Sequence, residues 1–112
     1  MKLSYAITVC DEFLEIQRLL PFIIAKKRPQ DEVVVLVDLS KNSPTSELLG
    51  YLHKLSSNNH IILSEQKFNG DFARWKNILN NSCNGDYIFQ IDADEMPTEY
   101  MIKIIPQIIE SN

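Results

Sequence analysis

The chain has 112 residues, 45% of them hydrophobic, with 11 basic against 15 acidic side chains, a formal charge of −4 and a pI near 5.1. That length allows one domain with an adequate core, and the acidic balance excludes a general nucleic-acid binder, which needs a basic face to neutralise phosphates. Three glycines and five prolines are too few for a disordered or collagen-like chain, and no apolar run reaches the roughly 18 residues of a membrane span.

Met1 to Cys10 runs into acidic residues without a small-residue cleavage site, so no signal peptide is expected. Cys10 and Cys83 lie far apart with no metal-ligand spacing, and reduced thiols in a cytoplasmic protein are the default. Leu3 to Val9 is a short apolar run with β-branched residues and reads as a buried first strand. Phe13, Ile16, Leu19, Leu20 and Ile23 then recur at helical spacing. Asp11 is the expected N-cap, with Glu12 and Glu15 in the first turn where the dipole favours them. Pro21 is expected to kink or divide this helix, and Lys26-Lys27-Arg28 before Pro29 to stop it.

Glu32 to Asp38 is the clearest strand, its unbroken apolar run implying burial on both faces as in the middle of a parallel sheet. Leu39 to Ser43 reads as a turn. Pro44 is placed at the start of a second helix carrying Leu48, Leu49, Leu52 and Leu55, closed by Ser56 to Asn59. His60 to Ser64 is a third, shorter strand. The turn cluster Phe68-Asn69-Gly70-Asp71 leads into a helix with Phe72, Trp75, Ile78 and Leu79, ended by Asn80 to Gly85. Tyr87 to Ile91 is the fourth strand. Pro97 opens a last helix with Tyr100, Met101, Ile104, Ile105, Ile108 and Ile109 as its apolar positions, broken or bent at Pro106.

The order βαβαβαβα predicts an α/β fold with a parallel sheet and right-handed crossovers. Ligands of such sheets sit beyond the carboxyl ends of the strands. Asp11, Asp38, Asp92 and Asp94 all follow strands, so four carboxylates are expected to converge on one rim. In Asp92-Ala93-Asp94 the two-residue spacing lets one carboxylate reach a hard cation while the other reaches a hydroxyl. Mg²⁺ or Mn²⁺ is typically held by one or two carboxylates plus substrate phosphates, and a nucleoside diphosphate would complete the shell. The plainer account is a solvated acidic turn capping the last helix; the position at the end of a buried strand, opposite other strand-end acids, favours the functional one. For Asp38, a hydrogen bond to a base or ribose and an Asx-turn serving the local backbone are equally good readings. Arg74 is expected on a solvated helix face, His53 and His60 at the surface, Trp75 in the core, and Cys10 as inert packing rather than a nucleophile.

Taken together, Thr8-Val9-Cys10-Asp11-Glu12, the run from Glu32 to Ser40, Phe72-Ala73-Arg74-Trp75-Lys76-Asn77, and the run from Gly85 through Asp92-Ala93-Asp94-Glu95 resemble family 2 glycosyltransferases in content and order. The Asp-Ala-Asp-Glu form with a preceding Lys76-Asn77 is similar to the branch that builds lipopolysaccharide core and related surface glycans. The resemblance implies the GT-A fold, a Rossmann-like three-layer α/β/α arrangement with a mainly parallel four-stranded sheet. It further implies that Thr8 and Cys10 line the base pocket through their backbone, that Asp38 binds the base with Lys76 nearby, and that Asp92 contacts the ribose. Asp94, together with Asp92, would hold Mn²⁺ or Mg²⁺, with Ala93 between the two carboxylates in the same nucleotide-sugar site. The metal would stabilise the leaving nucleoside diphosphate as a Lewis acid.

The partners implied are a nucleotide diphosphate sugar, with a UDP-sugar expected though the residues leave other bases open, and a glycan or lipid-linked acceptor. The location implied is cytoplasmic, peripheral at the inner face of the membrane. In that family the acceptor half and general base lie downstream, so residues 1–112 are expected to be a donor-binding half truncated at its C-terminus, with self-association through an exposed sheet edge. The alternative is a nucleotide-sugar-binding half-domain without turnover. A phosphotransferase of the haloacid dehalogenase type is disfavoured because its Asp-x-Asp strand opens the domain, whereas here that strand comes near the end.

Overall fold

The structure is a computed structural model and describes residues 1–40 and 45–111. It contains β1 (Leu3–Val9), α1 (Phe13–Lys26), β2 (Glu32–Asp38), α2 (Ser46–Ser57), β3 (Ile62–Gln66), α3 (Phe72–Asn81), β4 (Tyr87–Asp92) and α4 (Glu99–Glu110). The four strands form one sheet in the order β3-β2-β1-β4, every pair parallel.

Strand periodicity divides the core in two. Leu3, Tyr5, Ile7 and Val9 of β1 and Val33, Val35 and Val37 of β2 point to one face, where Ile16, Leu19, Leu20 and Ile23 of α1, Leu48 and Leu52 of α2, and Ile102 and Ile109 of α4 cover them. Ala6, Val34 and Leu36 point to the other face, which is covered by Trp75 and Leu79 of α3. Right-handed crossovers put α1 and α2 on one face and α3 on the other when β1, β2 and β3 step one way and β4 returns to the far side of β1; α4, which follows the last strand, packs on the face of α1 and α2.

Several local features differ from the sequence reading. Pro21 neither breaks nor divides α1, which runs unbroken for 14 residues. The carbonyl that loses its donor belongs to Gln17, and both residues are on the exposed side of the helix. The N-cap position is held by Glu12 rather than Asp11. The third strand is Ile62–Gln66, two residues later than His60–Ser64. His60 is consumed in ending α2: Asn59 adopts φ 63°, its amide donates to the Ser56 carbonyl at 3.0 Å, and the His60 amide donates to Leu55 at 2.9 Å, the paired bonds of a Schellman cap.

The last helix begins after Thr98, whose hydroxyl accepts from Met101 N at 3.1 Å, not at Pro97. It buries Ile102, Pro106 and Ile109, while Tyr100, Met101 and Ile108 are exposed. Apolar residues surround much of this helix, so spacing alone did not select the face. Pro106 is an apolar contact within it rather than a break. The expected Pro44 helix start lies outside the described residues; Thr45 caps α2, accepting from Leu48 N at 3.2 Å.

The amino end of the sheet is fastened by buried polar groups. Asp31 accepts from Leu3 N at 2.9 Å and takes Arg28 Nε and Nη2 at 2.8 and 3.0 Å. Glu32 accepts from Ser4 Oγ at 2.6 Å and Asn84 N at 2.7 Å and pairs with Lys2 Nζ at 3.0 Å. Burial would raise the Glu32 carboxyl, but these donors together hold it below its ordinary value. Its stabilisation is therefore complete above the unfolded value and is lost as the pH falls through the lower folded one. Glu32→Gln should lower stability at neutral pH and flatten its decline on acidification, read as urea midpoints at neutral and acid pH.

Gly85 donates to Ser4 Oγ at 2.8 Å, and a β-carbon on it would lie 2.6 Å from that oxygen and 2.7 Å from Ser4 N. Gly85→Ala should cost about 1–3 kcal/mol in denaturant unfolding. Gly50, exposed inside α2 with open space around it, gives the opposite sign: Gly50→Ala should stabilise by about 0.5–1 kcal/mol.

Candidate functional site

At the carboxyl ends of the strands lies a cleft of about 390 Å³, lined by Thr8, Val9, Cys10, Glu12, Asp38, Phe68, Phe72, Trp75, Asp92, Ala93 and Asp94. Its position follows from the connectivity. The strand order reverses beside β1, with β2 and β3 stepping to one side and β4 returning to the other, and the cleft opens at that switch point. The residue pattern sets which side chains face it. Thr8, Asp38 and Asp92 share the parity of Ala6, Val34 and Leu36, hence the face that α3 alone covers.

Thr8 and Asp92 are register partners on β1 and β4, and Thr8 Oγ1 donates to Asp92 Oδ1 at 3.2 Å. Beyond Asp92 the chain turns tightly: Ala93 N donates to Thr8 O at 3.1 Å and Glu95 N to Asp92 O at 2.9 Å. Ala93 is 2% exposed and belongs to the core, which leaves Asp92 and Asp94 on the open side. The turn thus places both carboxylates on the cleft with a small residue packed beneath them.

Three further carboxylates bind the loops to themselves. Glu95 Oε1 accepts from Asp92 N at 2.7 Å. Glu12 turns back to accept from Cys10 N and Asp11 N, both at 3.2 Å. Burial pushes the Glu12 carboxyl up, and the two amides pull it partly back. Asp38 Oδ1 accepts from Ser40 N at 2.8 Å and from Phe68 N at 3.1 Å, so it closes its own turn and also ties the loop after β3 to β2.

The far wall is aromatic. Phe68 packs on Phe72 with ring centroids 4.9 Å apart and meets Trp75 edge-on at 5.5 Å. The loop is shaped by Gly70 at φ 92° and by Asp71, the N-cap of α3, which accepts from Arg74 N at 3.1 Å.

Of the residues singled out from sequence, Thr8, Cys10, Asp38, Asp92, Ala93 and Asp94 are brought together on this cleft. Lys76, one turn beyond Phe72 on α3, is not among the residues lining it, and neither is Asp11; Glu12 takes the place expected of Asp11. Trp75 is core, as expected, but its edge reaches the cleft. Glu12, Phe68 and Phe72 were missed. The available signal was positional: a helix following a parallel strand starts at the ligand-binding end of the sheet, which puts its first residue, Phe72, at the rim.

Among the described residues, no three His, Cys, Asp or Glu side chains converge to hold a metal ion. The donors present, Asp94 with Asp92, suit a hard cation that takes its remaining ligands from a bound phosphate group. No helix among the described residues is long and apolar enough to cross a membrane.

A Rossmann-like α/β sheet with a carboxylate pair at its strand reversal defines the class, a GT-A-type fold. The chain belongs to glycosyl transferase family 2, whose family model matches residues 4–112. None of the curated proteins matches it. Among solved structures it is similar to S. aureus TarS, at 20% identity and TM-score 0.78 over 99% of this chain and 20% of that one. A TarS 1–349 complex with UDP gives 20% identity and TM-score 0.74, and one with UDP-GlcNAc 21% and 0.75, each covering 99% of this chain. This chain spans about a third of those two.

The double role of the Asp38 oxygen gives a stability test. Asp38→Asn retains an acceptor at Oδ1 and should unfold near the native midpoint. Asp38→Ala leaves two amides without it and should cost about 1–2 kcal/mol in urea unfolding.

Proposed function

We propose that this chain is the donor-binding half of a glycosyltransferase, holding a nucleoside diphosphate sugar for transfer to a glycan or lipid-linked acceptor. The observation that carries the reading is the gathering of Thr8, Asp38, Asp92 and Asp94 from three strands and their ends on one cleft where the strand order reverses. Strand order lays out the ligand. Asp38 ends β2 and Asp92 ends β4, two strand spacings or about 10 Å apart across the sheet, with Thr8 on the strand between and Cys10 just beyond its end. A base at the β2 end and a diphosphate at the β4 end match that succession.

In this reading the loop backbone at Thr8 and Cys10 forms the floor under the base, and the Asp38 carboxylate accepts from a base N–H or a ribose hydroxyl. Asp92, oriented by Thr8 Oγ1, faces the ribose. Asp94 supplies a carboxylate to Mn²⁺ or Mg²⁺. When bound, the cation offsets the charge that develops on the departing diphosphate. Ala93 keeps the two carboxylates at fixed spacing, and Glu95 stiffens the loop by holding Asp92 N. A UDP-sugar is the proposed donor, supported by the UDP and UDP-GlcNAc held by TarS. The Asp-Ala-Asp-Glu form with Lys76-Asn77 supports a surface glycan as the acceptor class.

Calorimetric titration of UDP with and without Mn²⁺ tests the reading. Binding should strengthen at least tenfold with the metal, and Asp94→Ala, an exposed position that leaves the core intact, should abolish the increment. Binding without sugar-nucleotide hydrolysis or transfer would favour a half-domain without turnover; absence of UDP binding by the native chain would overturn the proposal.

A further inference from the structure

Phe72 is the first residue of α3, 71% exposed, yet it lines the cleft. A phenyl ring this exposed adds little to the core, and its position is not loose. One side packs on Phe68 at 4.9 Å with an interplanar angle of 50°, and Phe68 is braced edge-on by Trp75, which is 9% exposed. The Phe68 amide is in turn held by Asp38 Oδ1. An apolar ring is thus fixed at the mouth of a cleft whose opposite wall carries carboxylates.

We propose that Phe72 is a stacking surface for the nucleobase of the bound nucleoside diphosphate, with Phe68 and Asp38 as the positioning residues that hold it. The inference rests on the proposed donor-binding function and deepens it. A base and a phosphate make opposite demands: a flat apolar face needs a ring, and an anionic end needs a cation held by carboxylates. The cleft separates the two, with its aromatic wall following β3 and its Asp92-Ala93-Asp94 loop following β4, at opposite ends of the sheet. Stacking tolerates every base because each has a π-face. Phe72 therefore supplies affinity, and the choice of base falls to polar groups such as Asp38.

The experiment is calorimetry of UDP and of inorganic pyrophosphate, both with Mn²⁺, on the native chain, Phe72→Ala and Phe72→Trp. Phe72→Ala should weaken UDP binding about tenfold and leave pyrophosphate binding unchanged, while Phe72→Trp keeps UDP affinity. The exposure of the site predicts unaltered melting temperatures. Native binding of UDP with no loss in Phe72→Ala, or equal loss for UDP and pyrophosphate, overturns the stacking role while the donor-binding function stands. Failure of the native chain to bind UDP removes both.

Discussion

The structure depends on β1 being hydrogen-bonded on both sides by parallel partners. Thr8 meets Leu36 on β2 and Asp92 on β4 in register, so the carboxyl ends of three strands finish within two residues of one another. A parallel strand in the middle of a sheet is buried on both faces, and the valines, isoleucines and leucines of β1 and β2 meet that demand. Because pleating alternates side chains strictly, a slip of one residue would send Thr8, Asp38 or Asp92 into the wrong face. Register and acid placement are thus one constraint.

The unequal layers follow from the same order. With α1, α2 and α4 on one face and α3 alone on the other, the second face is partly open; Ile88 and Gln90 of β4 remain exposed there. That shortage of cover gives a ligand room. A sheet covered equally on both faces would have a better-filled core and a smaller cleft.

Crowding carboxylates at a rim is unfavourable unless their charge is balanced or their oxygens are hydrogen-bonded. Here Glu12, Glu95 and one oxygen of Asp38 serve backbone amides, fixing the three loops that enclose the cleft. Asp94 adds a negative charge on the open side, where a cation bridging to a phosphate would be favoured. The rim divides between residues that shape the loops and residues that face the ligand, and Asp38 belongs to both groups.

Local chemistry carried much of this protein. Leu3–Val9 and Glu32–Asp38 were legible to the residue because continuous β-branched runs have few other uses, and alternation with helices implied the parallel sheet. The strand-end acids were legible because the carboxyl edge of such a sheet is where ligands bind. Tertiary contacts decided the rest. The buried face of α4 was settled by packing, since its isoleucines allow several. His60 went to a helix cap because Asn59 could adopt a left-handed turn. Glu12 displaced Asp11 because its longer side chain reaches back to two amides. The Phe68–Phe72–Trp75 wall emerged only when α3 was laid across β1 and β2, since one-dimensional spacing records which residues share a helix face but not what that face meets.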